Sequence, residues 1–225
     1  AGIVADWRLG EPLRRLLRDG DAYRLHTDRA ELTADRVVVC TPAYTAAELL
    51  QGFEPDLTAL LAGVSYSPIA VVGCGYHRAP QPLDGFGLLT TTAARQPILG
   101  VLWDSSIFPD RAPPGGATLR VMIGGQRNPE LVSQDDAGLL HTAREGLART
   151  MGLTVEPDVS FVQRWPRGIP NYAVGHLAAM AQLFGRLGAL PGLYLHSNAY
   201  RGIAMNDCVR NGRLVAEALA EGRPF

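Results

Sequence analysis

The chain reads as a mixed fold, part α/β and part α+β, and three features predict it. An apolar run, Val37-Val38-Val39-Cys40, leads straight into a helix-forming segment at Ala46–Leu50. Four β-rich segments then crowd between residues 69 and 123, followed by one amphipathic helix, the order expected of a sheet with helices on one side. A last strand–loop–helix unit runs from Leu193 to Leu219.

In chain order, Arg8–Leu17 is a short basic and apolar segment. Asp19-Gly20-Asp21 is the turn of a hairpin whose second strand is Tyr23-Arg24-Leu25-His26-Thr27. Val37–Cys40 has the continuous apolar character of a strand covered on both faces, and Thr41-Pro42 ends it. Ala59–Tyr76 carries no charge, but Gly63 and Ser67-Pro68 interrupt it. It therefore predicts a helix end followed by a buried strand, and no transmembrane helix.

The β-rich segments are Ile69–Tyr76, Phe86–Leu89, Ile98–Trp103 and Thr118–Ile123, with Pro109–Gly116 as a mobile loop. Asp135–Met151 is a helix with an apolar stripe of Leu139, Leu140, Ala143 and Leu147. Asp158–Trp165 is the next strand, and His176 opens a helix with Leu177, Met180, Phe184 and Leu187 at helical spacing. A Pro-Gly turn launches the strand Leu193-Tyr194-Leu195. A loop of small residues follows, and Asn206 or Asp207 caps a helix bearing Val209, Leu214, Val215, Ala218 and Leu219 on one face and ending at Gly222. Strand, tight loop and helix start form a nest of amides suited to negative charge; by spacing alone it is also an ordinary βα turn.

Composition narrows the function classes. The chain has 225 residues, 47% hydrophobic and 19% charged, which describes a globular chain able to bury a full core. Its net charge of −1, with both signs interspersed, gives no electrostatic case for nucleic acid. Cys40, Cys74 and Cys208 are far apart and show no metal-ligand spacing, so no metal and no disulfide framework is expected, and a reducing cytoplasmic setting fits. Trp103-Asp104-Ser105-Ser106 lacks the nucleophile-elbow pattern, and no catalytic residue is assigned anywhere. His176, alone at a helix start, is assigned a structural role.

Several blocks carry a family resemblance. Asn198, Gly202, Ile203-Ala204-Met205 and Asn206-Asp207-Cys208-Val209-Arg210 resemble the C-terminal flavin-binding motif of the protoporphyrinogen and coproporphyrinogen oxidases, except that Ser197 stands where that family usually has Gly. RWPRGIPNYAVGH resembles the family's R-W-x-x-x-I-P-Q-Y-x-x-G-H block, with Asn171 in place of Gln. LDGFGLL, ILGVLWDSSIFPDR and LRVMIGG look like its substrate-domain blocks. The resemblance implies FAD as cofactor, held by Leu13, Trp165, Asn198, Gly202, Ile203, Ala204 and Met205. It implies Phe86, Leu89 and Met122 as residues lining a porphyrinogen site; by residue type alone these three are simply core.

The fold so implied is the C-terminal part of an FAD-binding Rossmann-like domain, residues 1–62 and 158–225, plus a mixed-sheet substrate-binding domain at 63–157. The implied reaction is oxidation of protoporphyrinogen IX or coproporphyrinogen III to the porphyrin in haem biosynthesis, with molecular oxygen as acceptor. Arg78, Arg120 and Arg127 are unranked candidates to meet a propionate. No G-x-G-x-x-G is present, so the chain is expected to be the C-terminal half of a longer or split protein. Its expected partners are an N-terminal half or a second copy. Peripheral membrane contact is not supported by this stretch and is expected only through the missing part. The alternatives are another flavin amine oxidase or desaturase-like oxidoreductase, or a non-catalytic tetrapyrrole-binding fragment.

Overall fold

A computed structural model describes residues 5–52 and 54–224, so the first four residues of the expected flavin-domain portion lie outside the described residues. The chain forms two compact units, residues 1–65 with 170–225, and residues 66–169.

In the first unit, strands β1 (Leu13–Asp19), β2 (Ala22–Thr27) and β3 (Glu31–Ala34) form an antiparallel three-stranded sheet. The β1–β2 hairpin closes at Asp19↔Ala22, and Gly20 takes the left-handed conformation that such a two-residue turn requires. Strand β4 (Val37–Val39) pairs in parallel with β10 (Leu193–Leu195). Val37 and Val39 are buried but Val38 is 37% exposed, so β4 is covered on one face rather than on both.

Helix α1 (Ala43–Leu50) follows β4, and α2 (Pro55–Ala62) packs against it and against α5 (His176–Leu187). The buried face of α5 is Met180, Leu183 and Leu187, while Leu177 lies 83% exposed, outside the stripe expected for it. Helix α6 (Met205–Glu221) follows β10 and buries Val215 and Ala218 against Tyr194. Val209 and Leu214, expected on the same face, are exposed, because the buried stripe instead includes Asn211.

The second unit is a five-stranded sheet in the order β6-β7-β8-β5-β9, antiparallel from β6 through β5. Its strands are β5 (Tyr66–Tyr76), β6 (Gly87–Leu89), β7 (Gly100–Leu102), β8 (Ala117–Gly124) and β9 (Val159–Pro170). The four-residue helix α3 (Asp104–Ile107) packs on β8, and the segment expected as a loop at 109–116 opens with a 3-10 turn, Pro109–Arg111. Helix α4 (Asp136–Met151) is capped by Asp135, whose carboxylate accepts the Gly138 N–H. Leu139, Ala143 and Leu147 of α4 pack with Val72, Cys74, Val101, Leu119, Val121 and Ile123, one face of the sheet. About 25 cal/mol per Å² of apolar area drives this packing.

Alternation along the strands leaves the opposite face to the residues between these. Gly87, Leu102, Arg120 and Gly73 form one row across it, and Leu89, Gly100, Met122 and Val71 the next. Strand β9 extends to Pro170, and its residues up to Ile169 belong to this unit, so the boundary expected between 157 and 158 falls instead after Ile169. Pro166 is compatible with so long a strand because β9 is at the sheet edge, where a missing N–H costs nothing.

Candidate functional site

The first unit builds its candidate site on the loop between β10 and α6. The parallel strand β10 is buried along its length, and His196 N–H continues the β4 ladder by donating to the Val39 carbonyl at 3.0 Å. The loop that follows is tied by side chains of its own unit. Ser197 Oγ accepts the Ala199 N–H at 3.2 Å, so the residue departing from the family pattern serves as a turn cap. Tyr172 Oη donates to the Asn198 carbonyl and accepts the Gly202 N–H, each at 2.8 Å, spanning the loop from end to end. Buried Asn211 Nδ2 donates to the Arg201 carbonyl at 2.8 Å, and the Arg201 guanidinium lies 3.8 Å from the Phe184 ring centroid.

Helix α6 starts at Met205, with Ala204 at the capping position, rather than at the Asn206 or Asp207 cap expected from the sequence. Both of those residues lie in the first turn. Asp207 reaches back to accept the Ala204 N–H at 3.3 Å and pairs with Arg210 at 2.5 Å. Gly202 has φ +129°, and a Cβ there would lie 2.5 Å from Asp207 Cβ, so the loop needs glycine at this point. Ala204 has no side-chain oxygen to offer the first-turn amides of α6. That donor set, at the positive end of a seventeen-residue helix, suits an electron-rich group, and Ile203 (47% exposed) and Met205 (82% exposed) set apolar side chains beside it.

Tyr172 has its hydroxyl pKa raised, chiefly by burial of the hydroxyl end, with the Gly202 N–H acting in the opposite direction. Its ring stacks on His176, centroids 4.0 Å apart at 17°. The sequence blocks contained Tyr172 without giving it a task. His176 keeps a packing role, although its Nε2 is shielded from solvent without a partner among the described residues. Leu13 is half-buried in β1, opposite Thr27, in the other sheet of the same unit.

Trp165 belongs to the second unit, on β9, with 46% of its surface exposed. Leu89 and Met122 stand in one row on the sheet face opposite α4, while Phe86 precedes β6 and is 76% exposed. Two glycines thin that face. A Cβ on Gly100 would lie 2.8 Å from Leu89 Cδ2, and one on Gly73 would lie 2.0 Å from Phe161 Cε1, so both side chains lie across glycine. The Ser105 and Ser106 hydroxyls accept the Thr118 and Gly85 N–H groups, which accounts for both serines structurally. No group of metal-ligating side chains occurs among the described residues, nor any helix long and apolar enough to cross a membrane.

Comparison with known proteins fits this arrangement. The chain is 30% identical over 219 residues to the chloroplastic protoporphyrinogen oxidase of Oryza sativa, covering 90% of this chain and 41% of that one. It is 30% identical to human protoporphyrinogen oxidase (96% of this chain, 46% of that one) and 27% identical to coproporphyrinogen III oxidase of Bacillus subtilis (93% and 45%). The chain thus spans less than half the length of these relatives. A crystal structure from Exiguobacterium sp. 255-15, provisionally assigned as a protoporphyrinogen oxidase, superposes with a TM-score of 0.81 at 27% identity, over 94% of this chain and 47% of that one. Putrescine oxidase shares the fold, with a TM-score of 0.73 at 14% identity, over 94% and 48%. The mixed fold and the flavin cofactor class expected from the sequence are those of the family whose profile matches residues 5–220. The chain belongs to the flavin containing amine oxidoreductases.

Proposed function

We propose that the chain contributes the flavin-side loop and the substrate sheet of an FAD-dependent oxidase that converts a porphyrinogen to a porphyrin. The observation that carries this reading is the Ser197–Met205 loop, strapped by Tyr172 and opening onto first-turn amides that its capping residue leaves free of side-chain acceptors. Relatives named for protoporphyrinogen and for coproporphyrinogen oxidation support the substrate class, and both porphyrinogens stand as candidates. The first unit is then part of the FAD-binding domain and the second is the substrate-binding domain.

FAD, when bound, supplies the two-electron acceptor that removal of hydrogens in pairs requires. Asn198, Gly202, Ile203, Ala204 and Met205 are the residues proposed to hold it, with Leu13 contributing backbone contacts. The α6 amides favour negative charge developing nearby, and the exposed side chains of Ile203 and Met205 offer apolar surface for a flat ring to cover. In the second unit, the Trp165 indole supplies a flat apolar wall and Leu89, Met122 and Phe86 receive the substrate. Molecular oxygen is the proposed terminal acceptor, and an N-terminal portion or a second copy the proposed protein partner.

The test is a flavin titration of the 225-residue chain, then porphyrin fluorescence after adding a porphyrinogen in air against a protein-free control. The same assay on the chain extended upstream follows. Porphyrin appearing faster than the control in either form supports the proposal. No flavin binding and no acceleration in both forms refutes it.

A further inference from the structure

We infer that Arg120, braced by Asp104, anchors a carboxylate of a flat apolar ligand lying on the face of the five-stranded sheet opposite α4. The identity of that ligand as a carboxylated tetrapyrrole rests on the porphyrinogen reading above. The assignment of Arg120 rests on geometry within residues 66–169 alone.

Arg120 lies on β8 between Leu102 of β7 and Gly73 of β5, and the adjoining row is Leu89, Gly100, Met122 and Val71. Among the residues of these two rows, Arg120 alone carries a charge. Its neighbours make a low platform, because Leu89 lies across Gly100 and the Phe161 ring across Gly73. Leu89 and Phe161 are 76% and 61% exposed. An extended apolar surface with one guanidinium set into it matches a planar ring system that carries an acidic edge.

The guanidinium is oriented before any ligand arrives. Nε and Nη2 donate to the two carboxylate oxygens of Asp104 at 3.1 and 2.6 Å. Asp104 opens α3, and α3 is tied to β8 by the Thr118 N–H, which donates to Ser105 Oγ at 3.1 Å. This pairing occupies one edge of the fork, and Nη1 has no partner among the described residues. Holding the fork in advance reduces the ordering cost of binding a carboxylate. As a purely stabilising contact the pair is of little worth, since the Arg120 side chain is 42% exposed.

Arg127, Arg164 and Arg78 of the same unit are placed differently. Arg127 gives Nη1 and Nη2 to the hydroxyl and carbonyl of Thr90. Arg164 gives Nη1 to Asp136, and Nε and Nη2 to the Gln134 carbonyl. Arg78 lies beyond the end of β5, outside both rows.

The test is fluorescence titration of the full chain with deuteroporphyrin IX and with its dimethyl ester, in the same micellar buffer and without flavin. Wild type is expected to bind the diacid about tenfold tighter than the ester, close to the effect of one charge-assisted pair. Arg120→Gln is expected to lower diacid affinity to the ester's and leave the ester unchanged, and Arg120→Lys to restore part of the difference. Should Arg120→Gln not fold, Asp104→Asn decides: a severalfold loss for the diacid alone supports the inference, and an equal loss for both ligands overturns it. If Met122→Asp weakens both ligands while Arg120→Gln weakens neither, the anchor is wrong and the sheet-face reading survives. If wild type binds neither ligand, both fall.

Discussion

Replacing Tyr172 by Phe removes the strap across the β10–α6 loop while leaving the stack on His176 in place. Two hydrogen bonds of 2.8 Å are lost, one donated to the Asn198 carbonyl and one accepted from the Gly202 N–H. Each is worth about 0.5–1.5 kcal/mol net, so the pair contributes about 1–3 kcal/mol to loop closure. Tyr172 is 43% exposed, so water can replace part of this, and the lower half of that range, about 1–2 kcal/mol, is the expectation. Local opening at Gly202 is then expected to rise by roughly 5–30-fold, since about 1.4 kcal/mol is a factor of ten. Hydrogen exchange of the amides from Ala199 to Ala204 measures this directly and needs no bound flavin. Tyr172→Ala, which also removes the 4.0 Å ring stack, is expected to raise exchange further. Unchanged exchange at Gly202 in Tyr172→Phe would show that the loop holds its shape without the strap.

Further outcomes follow from single contacts. Gly202→Ala forces a side chain into φ +129° and against Asp207, and is expected to cost about 1–3 kcal/mol, read as a lower melting temperature with a frayed start to α6. Gly100→Ala is expected to destabilise more than Gly73→Ala, because the new Cβ lies 2.5 Å from the Leu88 carbonyl in the first case but meets a movable Phe161 ring in the second; equal melting losses would contradict this. Burial pushes the Cys74 thiol up to about 11 from its ordinary value near 9. A raised folded-state value means that this stabilisation is whole below pH ~9 and is lost as pH rises to about 11, by up to ~3 kcal/mol. Denaturant midpoints across that window should fall for wild type and fall less for Cys74→Ala. At neutral pH a thiol reagent is expected to modify exposed Cys40 and spare buried Cys74, which peptide mapping reads.

Much of this arrangement was legible where a local rule acts alone. The Pro-Gly launch and apolar triplet of β10, the hairpin turn at Gly20 and the extent of α4 each follow from residues adjacent in sequence. The start of α6 was not, because Asp207 is a cap-forming residue by type, yet it serves from inside the first turn through the glycine-permitted approach of Gly202. The full length of β9 was hidden by Pro166 and Pro170, which argue against a strand unless its place at the sheet edge is known. The task of Tyr172 was invisible for a different reason. Its partners are 26 and 30 residues away, and only the return of the chain through β10 brings them to its hydroxyl. Ranking Arg120 above Arg78 and Arg127 likewise needed the register of β8 between β7 and β5.

The loop after β10 is shaped by groups of its own unit, from Tyr172, Asn211, Ser197 and Asp207. Its form is therefore a property of folding and not a response to a guest. A ligand meeting it finds a finished mould, so encounter should proceed at the speed of diffusion and orientation, without a slow closing phase. Affinity there should change mainly through the rate of departure. Substitutions at the ties, even those that never meet the guest, would then read out as shorter residence rather than slower capture.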